Sequence, residues 1–222
     1  AVVQYSDGMG RNYLVSDPLL VAEVLKQPAK FPRTEIFRMI LGDGLLASEG
    51  DHWRQNRRIA QPHFHRAGIG RYIEIMLEES KRWAGRLLEN QSGRFVAIDD
   101  HALHLSLPVT MRSFFSLNPS ERDLELCKVS ADLVTYIGLL GSAMPFKFTG
   151  EQNRRLREEF KRLESLVLDI ITQRRNLKEQ PDDLMKAFFD FRDADTGQAL
   201  PDKALRDEIV TMLLGGHETT GV

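Results

Sequence analysis

Two short stretches of the 222-residue sequence carry side chains whose types and spacing could do chemistry. In the first, SEGDHWRQNRRIAQPHF, Trp53 and Arg57 stand four residues apart. On a helix that interval places both on one face. An indole offers one N–H and a guanidinium a rigid fork of donors, and neither accepts. Converging donors of this kind suit a buried carboxylate, which is costly to bury unless paired and hydrogen-bonded. An apolar plate with acidic arms would fit, the indole covering the plate's edge and Arg57 taking the charge. The plainer reading is a surface cation–π pair among solvated arginines, since Arg154-Arg155 and Arg174-Arg175 repeat the theme. Taken alone, the pair favours the plainer reading.

The second stretch is Gly215-Gly216-His217-Glu218-Thr219-Thr220, following the apolar run DEIVTMLL. Two glycines inside a strong helical pattern cost about 1 kcal/mol each relative to alanine. A sequence tolerates that where something must approach the backbone closely. Thr219 can bond back to the carbonyl at 215 or 216 and bend the helix. The glycines and Thr219 would then open a groove in the helix wall, with Glu218 and Thr219 as an acid–alcohol proton relay into it. The plainer alternatives are a glycine-capped helix end, a packed or solvated His217 and a packed Thr220.

These residues need helices to position them. Residues 1–16 mix Val, Tyr and Leu with the turn residues Asp7-Gly8 and Gly10, which predicts short strands around a tight turn. Asp17-Pro18 predicts a helix start. Ser48 with Asp51 resembles a capping box for the Trp53 helix, which Pro62 stops. Apolar spacing predicts helical faces at Ile69, Ile73, Met76, Leu77, Leu87 and Leu88. Others are Leu156, Phe160, Leu163, Val167, Ile170 and Ile171, and Leu205, Ile209, Met212, Leu213 and Gly216. The expected fold class is mainly α with a small N-terminal β element.

Composition narrows the function. Thirty basic against 32 acidic residues argue against nucleic-acid binding, which wants a strongly basic face. A single cysteine, Cys127, excludes an internal disulfide framework and any multi-cysteine metal site in these residues. The charge-free run from Leu133 to Phe146 is too short for a bilayer and reads as a buried helix entering a loop, or as an apolar lid. No signal peptide opens the sequence. The composition favours a bacterial-type cytoplasmic protein, and a start without Met leaves room for an upstream anchor.

Together the two stretches resemble the cytochrome P-450 family of haem-thiolate monooxygenases. LGDGLLASEGDHWRQNRRIAQPHF is similar to that family's C-helix region, whose W-x-x-x-R pair holds the haem propionates. LPDKALRDEIVTMLLGGHETT is similar to its central I-helix, with the signature (A/G)-G-x-(D/E)-T-(T/S). The order and the helical stretch between them agree, and the resemblance covers essentially the whole chain. It implies an incomplete P-450 fold, with residues 1–222 as a partial domain from the N-terminal strands and B-helix region to the I-helix. The implied cofactor is haem b (iron protoporphyrin IX), with dioxygen as co-substrate. Electrons would come from NAD(P)H through a redox partner, either ferredoxin with its reductase or a fused reductase. The substrate would be a small apolar molecule and the protein a monomer.

Residue by residue, the resemblance implies that Trp53 and Arg57 bind haem propionates, with His52 nearby. Gly215 and Gly216 would let the helix pass over the haem beside dioxygen. Glu218 and Thr219 would order water and deliver protons there. Leu133 to Gly150 would roof the substrate channel, and Thr34 to Leu46 would form the variable loop that helps set substrate choice. The chain offers no metal ligand: the axial cysteine and the E-x-x-R motif are expected beyond the I-helix, outside it. Cys127, in the helical context SERDLELCKVSADL, reads as a packed free cysteine. The chain alone is therefore expected to be inactive and poorly folded.

Two other readings compete. A helical non-haem metalloprotein could draw on His63, His65, His101 and His104. A binuclear carboxylate site would want paired Glu-x-x-His motifs, however, and only Glu49 to His52 has that form. His104 reads more simply as a core histidine. The third reading is a non-catalytic helical interaction module or a degenerate relative.

Overall fold

The computed structural model of the chain describes residues 1–6, 11–33, 35–91, 98–125, 128–129, 132–133 and 150–221. Strands β1 (Val2–Ser6) and β2 (Arg11–Val15) pair antiparallel in the register Val2↔Val15 to Ser6↔Arg11, giving the small β element. Asp17 caps α1 (Pro18–Lys26), accepting from the Leu19 N–H at 2.9 Å and the Leu20 N–H at 3.3 Å. Pro18 sits at the first helical position, where its missing N–H costs nothing.

Among the described residues, α2 (Glu35–Leu41), α3 (Gly50–Ala60), a 3-10 turn (Gln61–Phe64), α4 (Arg66–Gln91) and α5 (Ile98–Phe115) follow. Then come α6 (Gly150–Arg175), α7 (Leu184–Asp190) and α8 (Asp202–Gly221). Pro62 ends α3 as expected, by tightening the chain into the 3-10 turn. The capping box does not form. Glu49, not Ser48, is the cap residue, and its carboxylate turns away to accept from the Arg33 N–H at 2.5 Å. Ser48 is buried with an unpartnered hydroxyl.

The core forms where α5 and α8 cross, with α6 and α7 packed around them. Leu107, Met111 and Phe115 of α5 meet Leu163, Val167 and Ile170 of α6, Leu184 and Phe188 of α7, and Leu205, Ile209 and Leu213 of α8 in one buried cluster. The predicted inner face of α6 is confirmed, while Arg154 bonds Glu151 and Glu158 on its outer side, each at 2.7 Å. The predicted face of α4 is not. Ile69, Ile73, Met76, Leu77 and Leu88 are exposed, and Tyr72 and Glu79 point inward instead. Contacts with α5 decide this. Glu79 accepts from Arg112 at 2.5 Å, and the Tyr72 ring meets Phe114 edge-on at 5.6 Å. An ion pair to α5 and an aromatic contact thus outweigh the apolar row that periodicity alone picks out.

Arg174 joins α6 to the start of α7. Wholly buried, it donates to both carboxylate oxygens of Asp183 at 2.7 and 2.8 Å, and Asp183 also accepts from the Lys186 N–H, capping α7. Residues 134–149, which include most of the expected roof segment, and Cys127 lie outside the described residues.

Candidate functional site

The site is assembled from α3, α5 and α8. Helix α8 starts after Pro201, whose carbonyl accepts the Leu205 N–H at 3.0 Å, and Asp202 lies in its first turn, where a negative charge complements the helix dipole. Arg175 at the end of α6 pairs with Asp202 at 2.6 Å. One helical turn on, the buried Asp207 anchors the α2–α3 loop. It accepts from the Asp43 N–H at 2.9 Å, Lys203 at 2.9 Å and Arg206 at 2.5 Å. Burial opposes its charge, but these donors outweigh it and hold the carboxyl below its usual range. Gly42 makes that approach possible. Its φ of +58° suits glycine, and a Cβ there would lie 2.2 Å from the Asp207 carboxylate.

The loop so anchored carries Leu45 and Leu46 to a cavity of about 390 Å³. Its walls are Leu45, Leu46, Ala60, Phe64, Phe114 and Met212, with Gly215, Gly216 and Thr219 along one side and Arg57 at its edge. The Phe64 and Phe114 rings meet at a tilt of 60° with centroids 5.6 Å apart, so the apolar wall is aromatic where α5 meets the 3-10 turn. Trp53 and Arg57 share one face of α3 and line a second, more open groove of about 440 Å³ with Arg54, Arg58 and His65. Trp53 is half-buried and Arg57 exposed. Neither the indole N–H nor the Arg57 guanidinium has a partner among the described residues. A free permanent cation beside an apolar cavity, with a free N–H one turn away, fits an apolar cofactor bearing carboxylates. His52 is exposed and lines neither cavity.

The glycines serve different ends. A Cβ on Gly215 would meet only Leu46 Cδ1 at 3.6 Å, an ordinary contact on the cavity side. A Cβ on Gly216 would fall 2.8 Å from Thr110 Oγ1 and 2.9 Å from Thr110 Cγ2. Gly216 is thus required by the close crossing of α5. Thr219 Oγ1 donates to the Gly215 carbonyl at 2.7 Å, the back-bond expected from its position. The Glu218 side chain lies outside the described residues; its backbone continues α8.

His217 turns away from the cavity into the α5 contact. It is buried, with Nδ1 2.8 Å from Ser106 Oγ and Nε2 unpartnered. Burial, with a smaller contribution from His104, pulls its pKa down to about 4, so it is neutral near pH 7. His104, expected in the core, is exposed instead. Among the described residues no three of His, Cys, Asp and Glu gather as a metal site, and no helix is long and apolar enough to cross a membrane.

Sequence reasoning missed the role of the loop Gly42–Gly44, the buried Glu208 and Asn56, and Thr110. The Gly-Asp-Gly run was the available signal for the loop. The acid pair Asp207-Glu208 at the head of an apolar run was the signal for a buried carboxylate.

The family model described as Cytochrome P450 matches residues 1–222. The chain is 28% identical to the cyclooctat-9-en-7-ol 5-monooxygenase of Streptomyces melanosporofaciens, covering 99% of this chain and 49% of that protein. It is 30% identical to the cyclooctatin synthase of the same organism, over 94% of this chain and 47% of the relative. Pentalenene oxygenase of Streptomyces avermitilis is 27% identical over 93% of this chain and 47% of its own length. The chain thus spans about half the length of the relatives it matches. Among solved structures, the haem domain of cytochrome P450DA superposes with a TM-score of 0.82 at 25% identity, over 99% of this chain and 50% of that one.

Proposed function

Since the chain belongs to the cytochrome P450 family, whose members use haem and dioxygen, we propose that residues 1–222 are the N-terminal part of a haem-dependent monooxygenase acting on an apolar organic substrate. The observation that carries this reading is the unpartnered Trp53–Arg57 pair of one groove, whose Arg57 also lines an apolar cavity walled by Gly215, Gly216 and Thr219. Haem, when bound, supplies the chemistry of dioxygen activation: one oxygen atom enters the substrate and the other leaves as water, with two electrons drawn from NAD(P)H through a redox partner.

This chain's residues bind, shape and deliver protons. The Trp53 N–H and the Arg57 guanidinium hold the propionates, Arg57 supplying the charge. Gly215 keeps the α8 wall low on the cavity side. Thr219 has committed its hydroxyl proton to the Gly215 carbonyl, so its oxygen faces the cavity as an acceptor able to order water. Glu218, the next residue back, is the acid that reprotonates that water. The cavity's leucine, methionine and phenylalanine lining excludes bulk water and suits an apolar substrate. Relatives named for cyclooctat-9-en-7-ol and pentalenene support the same substrate class. The axial cysteine belongs to the part of the protein beyond this chain, and we place the protein in the cytoplasm as a monomer.

The test is the full-length protein, reduced and exposed to carbon monoxide. A thiolate-type haem spectrum is expected. A protein that takes up no haem, or gives no such spectrum, overturns the reading.

A further inference from the structure

We propose that Asp207 is a positioning residue for the cavity. Through one backbone bond it sets the register of the α2–α3 loop along α8, and with it the distance between Leu46 and Gly215. That distance decides how large an apolar group fits beside Gly215.

Asp207, Thr211 and Gly215 follow one another at four-residue intervals and form a single stripe on α8. The loop lies along this stripe in step. The Asp43 N–H donates to Asp207 Oδ2 at 2.9 Å, and a Cβ on Gly42 would meet the same carboxylate. A Cβ on Gly44 would fall 2.1 Å from Thr211 Oγ1 and 2.5 Å from the Asp207 carbonyl oxygen, so the loop backbone lies against α8 with no room for a methyl group. Leu46 Cδ1 comes next, 3.6 Å from where a Gly215 Cβ would stand. Gly42, Gly44 and Leu46 thus face Asp207, Thr211 and Gly215 in turn.

The three contacts differ in kind. Those at Thr211 and Gly215 are close packing, and the Thr211 hydroxyl is buried without a partner. Packing is non-directional, whereas a charge-assisted bond to one N–H selects one register. The Asp207 carboxylate is itself fixed. Wholly buried, it accepts from Lys203 at 2.9 Å and Arg206 at 2.5 Å, and Lys203 reaches on to Asp43 Oδ2 at 3.2 Å.

The rest of the loop transmits that register. Leu41 and Ala47, on either side, are buried in the core. The segment between them is an arch, and a shift at Asp43 passes to Leu45 and Leu46, both of which line the cavity. Arg33 Nη1 donates to the Leu45 carbonyl at 2.9 Å and to the Leu46 carbonyl. Arg33 is exposed, so its long side chain follows the arch, and the buried Asp207 fixes it.

The experiment uses the full-length haem protein with Asp207→Ala, Gly44→Ala and Leu46→Ala, and each of the first two combined with Leu46→Ala. Asp207→Ala removes the bond. Gly44→Ala keeps every charge but forces the loop off α8, and it carries the same test should Asp207→Ala fail to fold. Hydrogen exchange at the Asp43 and Ala47 amides reads the loop and does not require haem. Titration with imidazole and 4-phenylimidazole, followed by the Soret band, reads the space beside Gly215 as a ratio of two affinities. A loss of stability alone lowers both affinities alike and leaves the ratio unmoved. Exchange should be faster in Asp207→Ala and Gly44→Ala. Both should shift the affinity ratio about tenfold, the scale of one lost apolar contact, in the direction that Leu46→Ala does. Neither should shift it further once residue 46 is alanine. Unchanged exchange refutes the anchor. Faster exchange with an unmoved ratio, or with a shift that adds to that of Leu46→Ala, refutes the positioning of Leu46. The affinity ratio rests on haem lying beside Gly215 as proposed above. A protein that takes up no haem overturns that proposal, while the exchange still decides the register.

Discussion

Placing alanine at Gly216 should reveal what that glycine is for. A Cβ at 216 would lie 2.8 Å from Thr110 Oγ1, 2.9 Å from Thr110 Cγ2 and 3.4 Å from the Phe114 ring. Rotating Thr110 gives no relief. Two of its three staggered γ positions are in conflict and two are filled by heavy atoms, so every rotamer leaves at least one clash. The helices must separate, at the core crossing of α5 and α8. Overpacking of this kind costs about 1–3 kcal/mol, while the helix preference of alanine returns about 1 kcal/mol, so the net loss is about 0–2 kcal/mol. At Gly215, where the new methyl meets only Leu46 at 3.6 Å, the same exchange should be neutral or stabilising. The decisive measurement is a double-mutant cycle by chemical denaturation of the full-length protein. Thr110→Ala removes both clashing atoms, so Thr110→Ala with Gly216→Ala should recover about 1–3 kcal/mol relative to additivity. Additive losses within about 0.5 kcal/mol would show that the glycine does not serve the crossing.

Three more outcomes are expected. His217, with its pKa lowered to about 4 in the fold against 6.5 when unfolded, binds its proton more tightly in the unfolded chain. Its contribution is therefore whole above pH 6.5 and falls by about 1.4 kcal/mol per pH unit down to pH 4, about 3 kcal/mol in all. Urea melts across that range should show the slope, and His217→Gln should flatten it; an unchanged slope in the variant would assign the acid sensitivity elsewhere. Arg57→Ala in the full-length protein should lose about 1.5–3 kcal/mol of haem affinity, read as faster haem release, and normal retention would contradict its role. Thr219→Ala should bind haem normally yet divert electrons from product to peroxide, so unchanged coupling of NAD(P)H use to product would remove Thr219 from proton delivery.

Most of what one helix or one turn dictates was legible in the sequence, the capping box expected at Ser48 excepted. Asp17-Pro18 starts α1 and Pro62 stops α3 because a cap and a missing N–H act within a turn. Trp53 and Arg57 share a face because four residues make about one turn. Thr219 bonds back to Gly215 for the same reason. The mainly helical fold with its small hairpin followed from those periods, and two motifs sufficed to indicate the family. Tertiary structure decided everything that joins distant segments. The apolar row of α4 faces outward because Arg112 and Phe114 of α5 claim the other side. Gly216 answers to Thr110, His217 to Ser106 and Asp207 to a loop 164 residues earlier. Glu208 is buried by the same packing. Helical periodicity tells which residues share a face, but which face is inward depends on partners far along the chain, and that is fixed only when the helices pack.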